Sequence, residues 1–202
     1  NIFYLDTGKE PVNVSTANSS NRSISLAIMM VILGMAYFFS NFHRMALSVI
    51  GGTVAGDFSL SAAQLGALGS AIFYTYAAMQ IPCGAIADQT SSRLILTLSC
   101  VLTAASTAWF AFSNSFASMI LARGLTGIST ALVYVPALTT IRRQFGEHAF
   151  GTMSGILTAM GQMGTLCASM PLKFLADTLH WRIVFLLIGG ISLLLSAGCW
   201  IF

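Results

Sequence analysis

Six stretches of the chain, at 25–48, 62–82, 94–112, 116–141, 150–172 and 183–202, are each apolar and long enough to cross a bilayer, whose hydrocarbon core takes a helix of about 20 residues. Hydrocarbon offers the backbone no water to bond with, so a crossing segment must be a helix or a strand of a closed barrel. Barrel strands are only about 9–11 residues long and alternate in polarity. These stretches are longer and continuously apolar, which leaves helices. Composition agrees: 56% of residues are hydrophobic and 7% charged, against about a quarter charged in soluble domains. The expected fold is an all-α integral membrane bundle of six transmembrane helices. The first stretch is too long for a cleavable signal peptide and shows no small-residue cleavage pattern before Arg44.

Residues 1–24 are rich in Ser, Asn and Thr without apolar periodicity and read as a flexible tail; residues 25–202 form the bundle. Basic residues favour the cytoplasmic side of short connections. With a cytoplasmic amino terminus, Lys9, Arg22, Arg93, Arg142 and Arg143 lie inside, and only Lys173 and Arg182 lie outside. Both termini of the segment then face the cytoplasm of a plasma (inner) membrane. On that side the Asn-x-Ser matches at Asn13, Asn18 and Asn21 meet no glycosylation machinery. The four cysteines, Cys83, Cys100, Cys167 and Cys199, lack metal-ligand spacing and read as small apolar packing residues. No metal or cofactor is expected.

Arg44 and Arg123 fall inside the apolar stretches, whereas none of the six acidic residues does. An arginine at the centre of a membrane helix costs roughly 2.5–3.5 kcal/mol and ordinarily faces a wet cavity or a ligand. Without a carboxylate nearby, the simplest partner is an anion that comes and goes. Residues three or four apart share a helix face. Tyr37, Asn41, Arg44 and Ser48 form one polar stripe; Arg123, Gly127, Thr130 and Tyr134 form a second; Thr158, Gln162, Thr165 and Ser169 form a third. Three such faces are what a water-filled central pathway requires. The competing reading for both arginines is snorkelling to the outer interface, because Arg44 is followed by a short apolar run and Arg123 lies near the start of its helix. His43, beside Arg44, is a candidate proton site. Glycines at 124, 127, 151, 155, 161 and 164 let helices approach closely.

Pro82, Ala87, Asp88 and Arg93 recur at one common offset as Pro171, Ala176, Asp177 and Arg182, and the same offset sets Gly66 against Gly155. Three helices separate the copies, so they run in opposite directions across the membrane. Two inverted three-helix repeats are a plan of secondary transporters.

The run Gly84-Ala85-Ile86-Ala87-Asp88-Gln89-Thr90-Ser91-Ser92-Arg93 resembles the loop signature of the major facilitator superfamily between helices two and three. Leu121-Ala122-Arg123-Gly124-Leu125-Thr126-Gly127-Ile128 resembles its fourth-helix Arg-x-x-x-Gly motif. The resemblance covers the chain from about Ser25 onward and implies the amino-terminal half of a twelve-helix transporter. It also implies a gating role for Asp88 with Arg93, which hold the cytoplasmic helix ends together, although Gln89 and Ser91 depart from the signature. Tyr37 to Arg44, Leu47-Ser48 and Gln64-Leu65-Gly66 resemble the first helices of anion:cation symporters and organophosphate transporters. There the arginine is implied to bind the anionic substrate. His43 stands where those relatives carry an aspartate, and Thr130 where some proton-coupled members carry a glutamate. Gly161-Gln162-Met163-Gly164 lacks the proline of the drug-antiporter motif.

The expected function is secondary active transport of a small anionic solute, organic or phosphorylated, by alternating access. Arg44 binds the anion with Tyr37 and Asn41, while Arg123 and Gln162 shape the site. A proton-coupled drug or amphiphile exporter, with Arg123 in a proton relay, is the alternative transporter; a membrane scaffold or receptor is the alternative from another class. No phosphate loop and no nucleophile with a base is present, so no enzyme is expected, and no nucleic-acid partner. A lone half would turn both arginines toward lipid. A second six-helix half is therefore expected, as a carboxy-terminal domain, a separate fragment or a second copy, and the end of the chain at helix six points to truncation.

Overall fold

The computed structural model describes residues 14–201, with side chains from Ser23 onward. All regular structure among them is helical: α1 (Val14–Phe58), α2 (Ala62–Gln89), α3 (Ser92–Phe112), α4 (Phe116–Cys167), α5 (Met170–Thr178) and α6 (Trp181–Ile201). Four helical runs, Ser23–Phe58, Ser92–Phe112, Phe116–Thr178 and Trp181–Ile201, are long and apolar enough to cross a membrane. Helix α2 is long enough but is diluted by Gln64, Tyr74, Tyr76 and Gln80.

Several expected boundaries move. The first helix does not stop at Ser48 but continues through Gly51 and Gly52 to Phe58. Glycine lowers intrinsic propensity, yet packing on neighbours carries most helical stability in proteins, and Gly51 packs on Leu65. Of the tail expected at 1–24, residues 1–13 lie outside the described residues. From Val14 the backbone is already helical, since extending a helix is far cheaper than nucleating one. Helix α2 starts on a capping box in which Ser61 Oγ accepts from Gln64 N at 3.2 Å and Ser61 N donates to Gln64 Oε1 at 2.9 Å. It runs on through Pro82 to Gln89, two turns past its expected end.

The expected stretches 116–141 and 150–172 belong to one long element broken at Gly146, where φ is 73° and ψ 175°, a conformation glycine adopts without strain. The limb before the break runs antiparallel to α1: Arg123 meets His43, Thr130 meets Ser40 and Tyr134 meets Tyr37. The limb after it runs parallel to α1, with Met160 against Gly34, Gly161 against Tyr37 and Gly164 against Phe38. The chain therefore reverses at Gly146. After Cys167 a short break leads into α5, which carries Pro171 in its first turn, where a missing N–H costs little.

Two apolar clusters occupy the ends of the bundle. Around one end, Phe110 packs on Phe185 at 4.8 Å and on Trp181 at 5.9 Å, with Ile50, Val54 and Leu172 beside them. At the other, Met29, Leu33, Leu96, Val133 and Leu157 pack together with Cys199. Between α3 and α4 the contact is polar. Ser99 Oγ donates to the Ser129 carbonyl at 2.7 Å, Thr103 Oγ1 to Ser129 Oγ at 2.9 Å and Thr126 Oγ1 to Ser106 Oγ at 2.9 Å. In hydrocarbon each such bond contributes about 0.6 kcal/mol.

Close approach depends on glycine where α4 meets its neighbours. A Cβ on Gly164 would strike the Phe38 backbone carbonyl, and one on Gly127 would strike the Ile72 carbonyl and Thr75. Because backbone cannot step aside, Gly164→Ala or Gly127→Ala should lower thermal stability by about 1–3 kcal/mol. Gly190→Ala, where a Cβ meets nothing within 4 Å, should leave the melting temperature unchanged.

Candidate functional site

Arg44 lies well inside α1, with some fourteen residues, or about 21 Å at 1.5 Å per residue, between it and Phe58. Its guanidinium covers the ring of Tyr76 on α2 at 4.5 Å from the centroid, a favourable cation–π contact. Nη2 donates to Asn41 Oδ1, and Asn41 Nδ2 donates to the Tyr37 carbonyl at 2.9 Å. The Tyr37 ring packs on Tyr134 at 4.9 Å. Three members of the first polar stripe thus form one connected set that fixes the arginine. Its Nε is buried without a hydrogen-bond partner.

Arg123 is 2% exposed, which excludes snorkelling despite its place two turns into α4. The aromatic cluster above it closes the way: Phe110 stands 5.9 Å from its Cζ. Nη1 donates to the His43 carbonyl at 3.2 Å, while Nε and Nη2 are buried and unpartnered. Both arginines line one cavity of about 370 Å³ between α1 and α2, together with Ser48, Gly51, Gly52, Gly69, Ser70 and Phe73. The volume falls in the range of small-molecule sites, roughly 300–1,000 Å³. Its walls are small or apolar and its lining includes no acidic residue. The ion pairs found among the described residues, Arg142 with Glu147 and His180 with Asp57, involve neither arginine.

Other expected members fall elsewhere. Gln162 is exposed and does not line this cavity. His43 is buried and turned toward α3 and α6, its Nε2 paired with Ser192 Oγ at 2.8 Å and its Nδ1 with Thr107 Oγ1 at 3.4 Å. Asp88 and Arg93 form no ion pair here: Arg93 Nη2 donates to the Ile201 carbonyl at 3.2 Å, and Asp88 is exposed. The second stripe is mostly consumed by packing, since Gly127 seats α2 and Thr130 Oγ1 donates to the Thr126 carbonyl at 2.8 Å. In the third, Thr158 Oγ1 donates to the Ser154 carbonyl at 2.9 Å and Ser169 Oγ to the Leu166 carbonyl at 2.5 Å. Sequence reasoning missed Tyr76 and the Gly69–Ser70 wall, whose signal is the small residues at 69 and 70 followed by the aromatic residues at 73 and 76 along one side of α2.

Among known proteins, a probable L-galactonate transporter of Escherichia coli is 27% identical over 84% of this chain and 37% of its own length. A D-galactonate transporter of the same species is 25% identical, covering 92% and 42%. A probable sulfoacetate transporter of Cupriavidus necator is 24% identical, covering 80% and 38%. The chain thus spans about two fifths of these relatives. The fold is similar to that of a bacterial homolog of the human lysosomal transporter Spinster, crystallised inward-facing and unoccupied, with a TM-score of 0.75 and 23% identity over 89% of this chain and 42% of that one. A sequence model of the Major Facilitator Superfamily matches residues 27–202. With that match over most of its length, the chain belongs to the major facilitator superfamily and is a multi-pass membrane protein.

Proposed function

We propose that this chain is part of a secondary active transporter for a small organic or phosphorylated anion, with Arg44 as the anion's principal ligand. One observation carries the reading: two guanidinium groups line a single cavity, hold buried N–H groups without partners and, among the described residues, have no carboxylate in that lining. Tyr37 and Asn41 orient Arg44 from behind, and Tyr76 supplies the aromatic face beneath it. Arg123 forms the far wall. Names of relatives that include galactonate, sulfoacetate, hexose phosphate and galactarate/D-glucarate transporters support an anionic solute.

In this reading the bundle crosses a plasma membrane six times, as two inverted three-helix units, with both termini of the segment in the cytoplasm. The reversal at Gly146 supports the count, because it divides α4 into two limbs of opposite direction. Transport proceeds by alternating access, with the solute held near the midplane between this bundle and a second one. Gating belongs to the cytoplasmic ends, where Arg93 ties α3 to the end of α6 and leaves Asp88 free to pair in another state. Gln162 takes no part in the cavity.

Counterflow in proteoliposomes bearing the complete protein, across sugar acids, sulfonates and phosphate esters, tests this directly. At least one anion should exchange, and Arg44→Gln should weaken it by about 10- to 100-fold, the loss expected for a charge-assisted hydrogen bond. Exchange of cationic or neutral amphiphiles with no response to Arg44→Gln would leave the exporter reading instead. Because His43 is spent on packing, His43→Gln should leave the shape of the pH profile of transport unchanged; a profile displaced along the pH axis would make it a proton carrier.

A further inference from the structure

We infer that the cavity is built for a dianion whose two charges are divided between Arg44 and Arg123, an inference that rests on the anion reading above. Both side chains stay charged at any pH the protein meets. The cavity they line contains no acidic residue, and the ion pairs among the described residues lie elsewhere. A monoanion would cover one guanidinium and leave the other buried and uncompensated, which is strongly unfavourable in a low-dielectric site. The exposed alternative is closed to Arg123, which is 2% exposed and capped by Phe110.

The two arginines are also prepared differently. At Arg123 the unpartnered groups are Nε and Nη2, one edge of the guanidinium fork, the edge that meets a carboxylate, sulfonate or phosphate through two parallel bonds. At Arg44 that edge is divided, with Nη2 given to Asn41 and only Nε unpartnered. The Arg123 nitrogens are themselves buried, so one end of the solute would engage the fork on a small turn of the Arg123 side chain toward the cavity, with the other end held largely as charge against Arg44. Small residues between them, Gly51, Gly52, Gly69 and Ser70, leave room for the connecting carbons. A solute with an oxyanion at each end, such as an aldarate or a sulfonated carboxylate, fits this arrangement better than an aldonate with one.

Matched pairs separate the possibilities: gluconate against glucarate, and acetate against sulfoacetate, with affinities measured by isothermal titration on the purified complete protein. The wild type should bind the dianion of a pair at least about tenfold more tightly, the gain expected for one further charge-assisted contact. Arg123→Gln should shrink that preference by about the same factor, and Arg123→Lys should restore part of it. Equal or tighter binding of the monoanions by the wild type would overturn the dianion inference while leaving Arg44 as an anion ligand, and it needs no variant to fold. Absence of binding by every anion, with Arg44→Gln indistinguishable from wild type, would overturn the anion reading and this inference together.

Discussion

The hydrogen bond from Arg123 Nη1 to the His43 carbonyl, at 3.2 Å, is the contact on which the geometry of the cavity depends. It joins the Arg123 side chain on α4 to the backbone of α1 one residue before Arg44, so the Arg123 guanidinium is held against the turn that carries Arg44. The His43 ring is held in turn by Ser192 and Thr107, which ties the same turn of α1 to α3 and α6. Arg44 therefore projects from a turn fixed on three sides. Its own direction is set by Asn41 and by the face of Tyr76.

Close helix contact makes this possible. Gly127 and Gly164 bring α4 against the backbones of α2 and α1, and Gly161 makes room for the Tyr37 ring; in lipid such packing carries much of the association energy that water would otherwise supply. The hydroxyl ladder linking Ser99, Thr103 and Ser106 to Thr126 and Ser129 holds α3 to α4 in one register. Polar residues in the bundle thus divide into two populations. Most hydroxyls are satisfied by a carbonyl of their own helix or by a neighbouring helix, whereas among the described residues the buried side-chain nitrogens without a partner belong to Arg44 and Arg123, which line the cavity without an acid in its lining. The fold by itself would not assign a solute; that asymmetry is what supports the proposal of an anion.

Much of this was legible in the residues. Apolar length gave the helical bundle, and the arginines announced themselves because a lone guanidinium in hydrocarbon needs an explanation. The stripe Tyr37, Asn41, Arg44 proved continuous because i, i+3 and i+4 neighbours on one helix meet whatever surrounds them. What failed was whatever depended on a neighbour. Helical spacing could not tell whether Gly127 and Thr130 faced water or another helix, and they face helices. Adjacency to Arg44 also says nothing of where the His43 ring points, since successive residues on a helix point about 100° apart, and the imidazole meets Ser192 and Thr107. Tyr76 was overlooked since it carries meaning only beneath Arg44. The ends of α1 and α2 were misjudged because Gly51, Gly52 and Pro82 weaken helices in isolation, and tertiary packing overrides them.

The central claim is that an anion completes the pair of arginines. A structure of the complete protein with a bound sugar-acid dianion tests it most directly. One oxyanion should lie within hydrogen-bond distance of the Arg44 guanidinium, in the cavity between α1 and α2, with the second directed at Arg123. An anion bound elsewhere, with Arg44 and Arg123 paired to carboxylates from the remainder of the protein, would contradict the account.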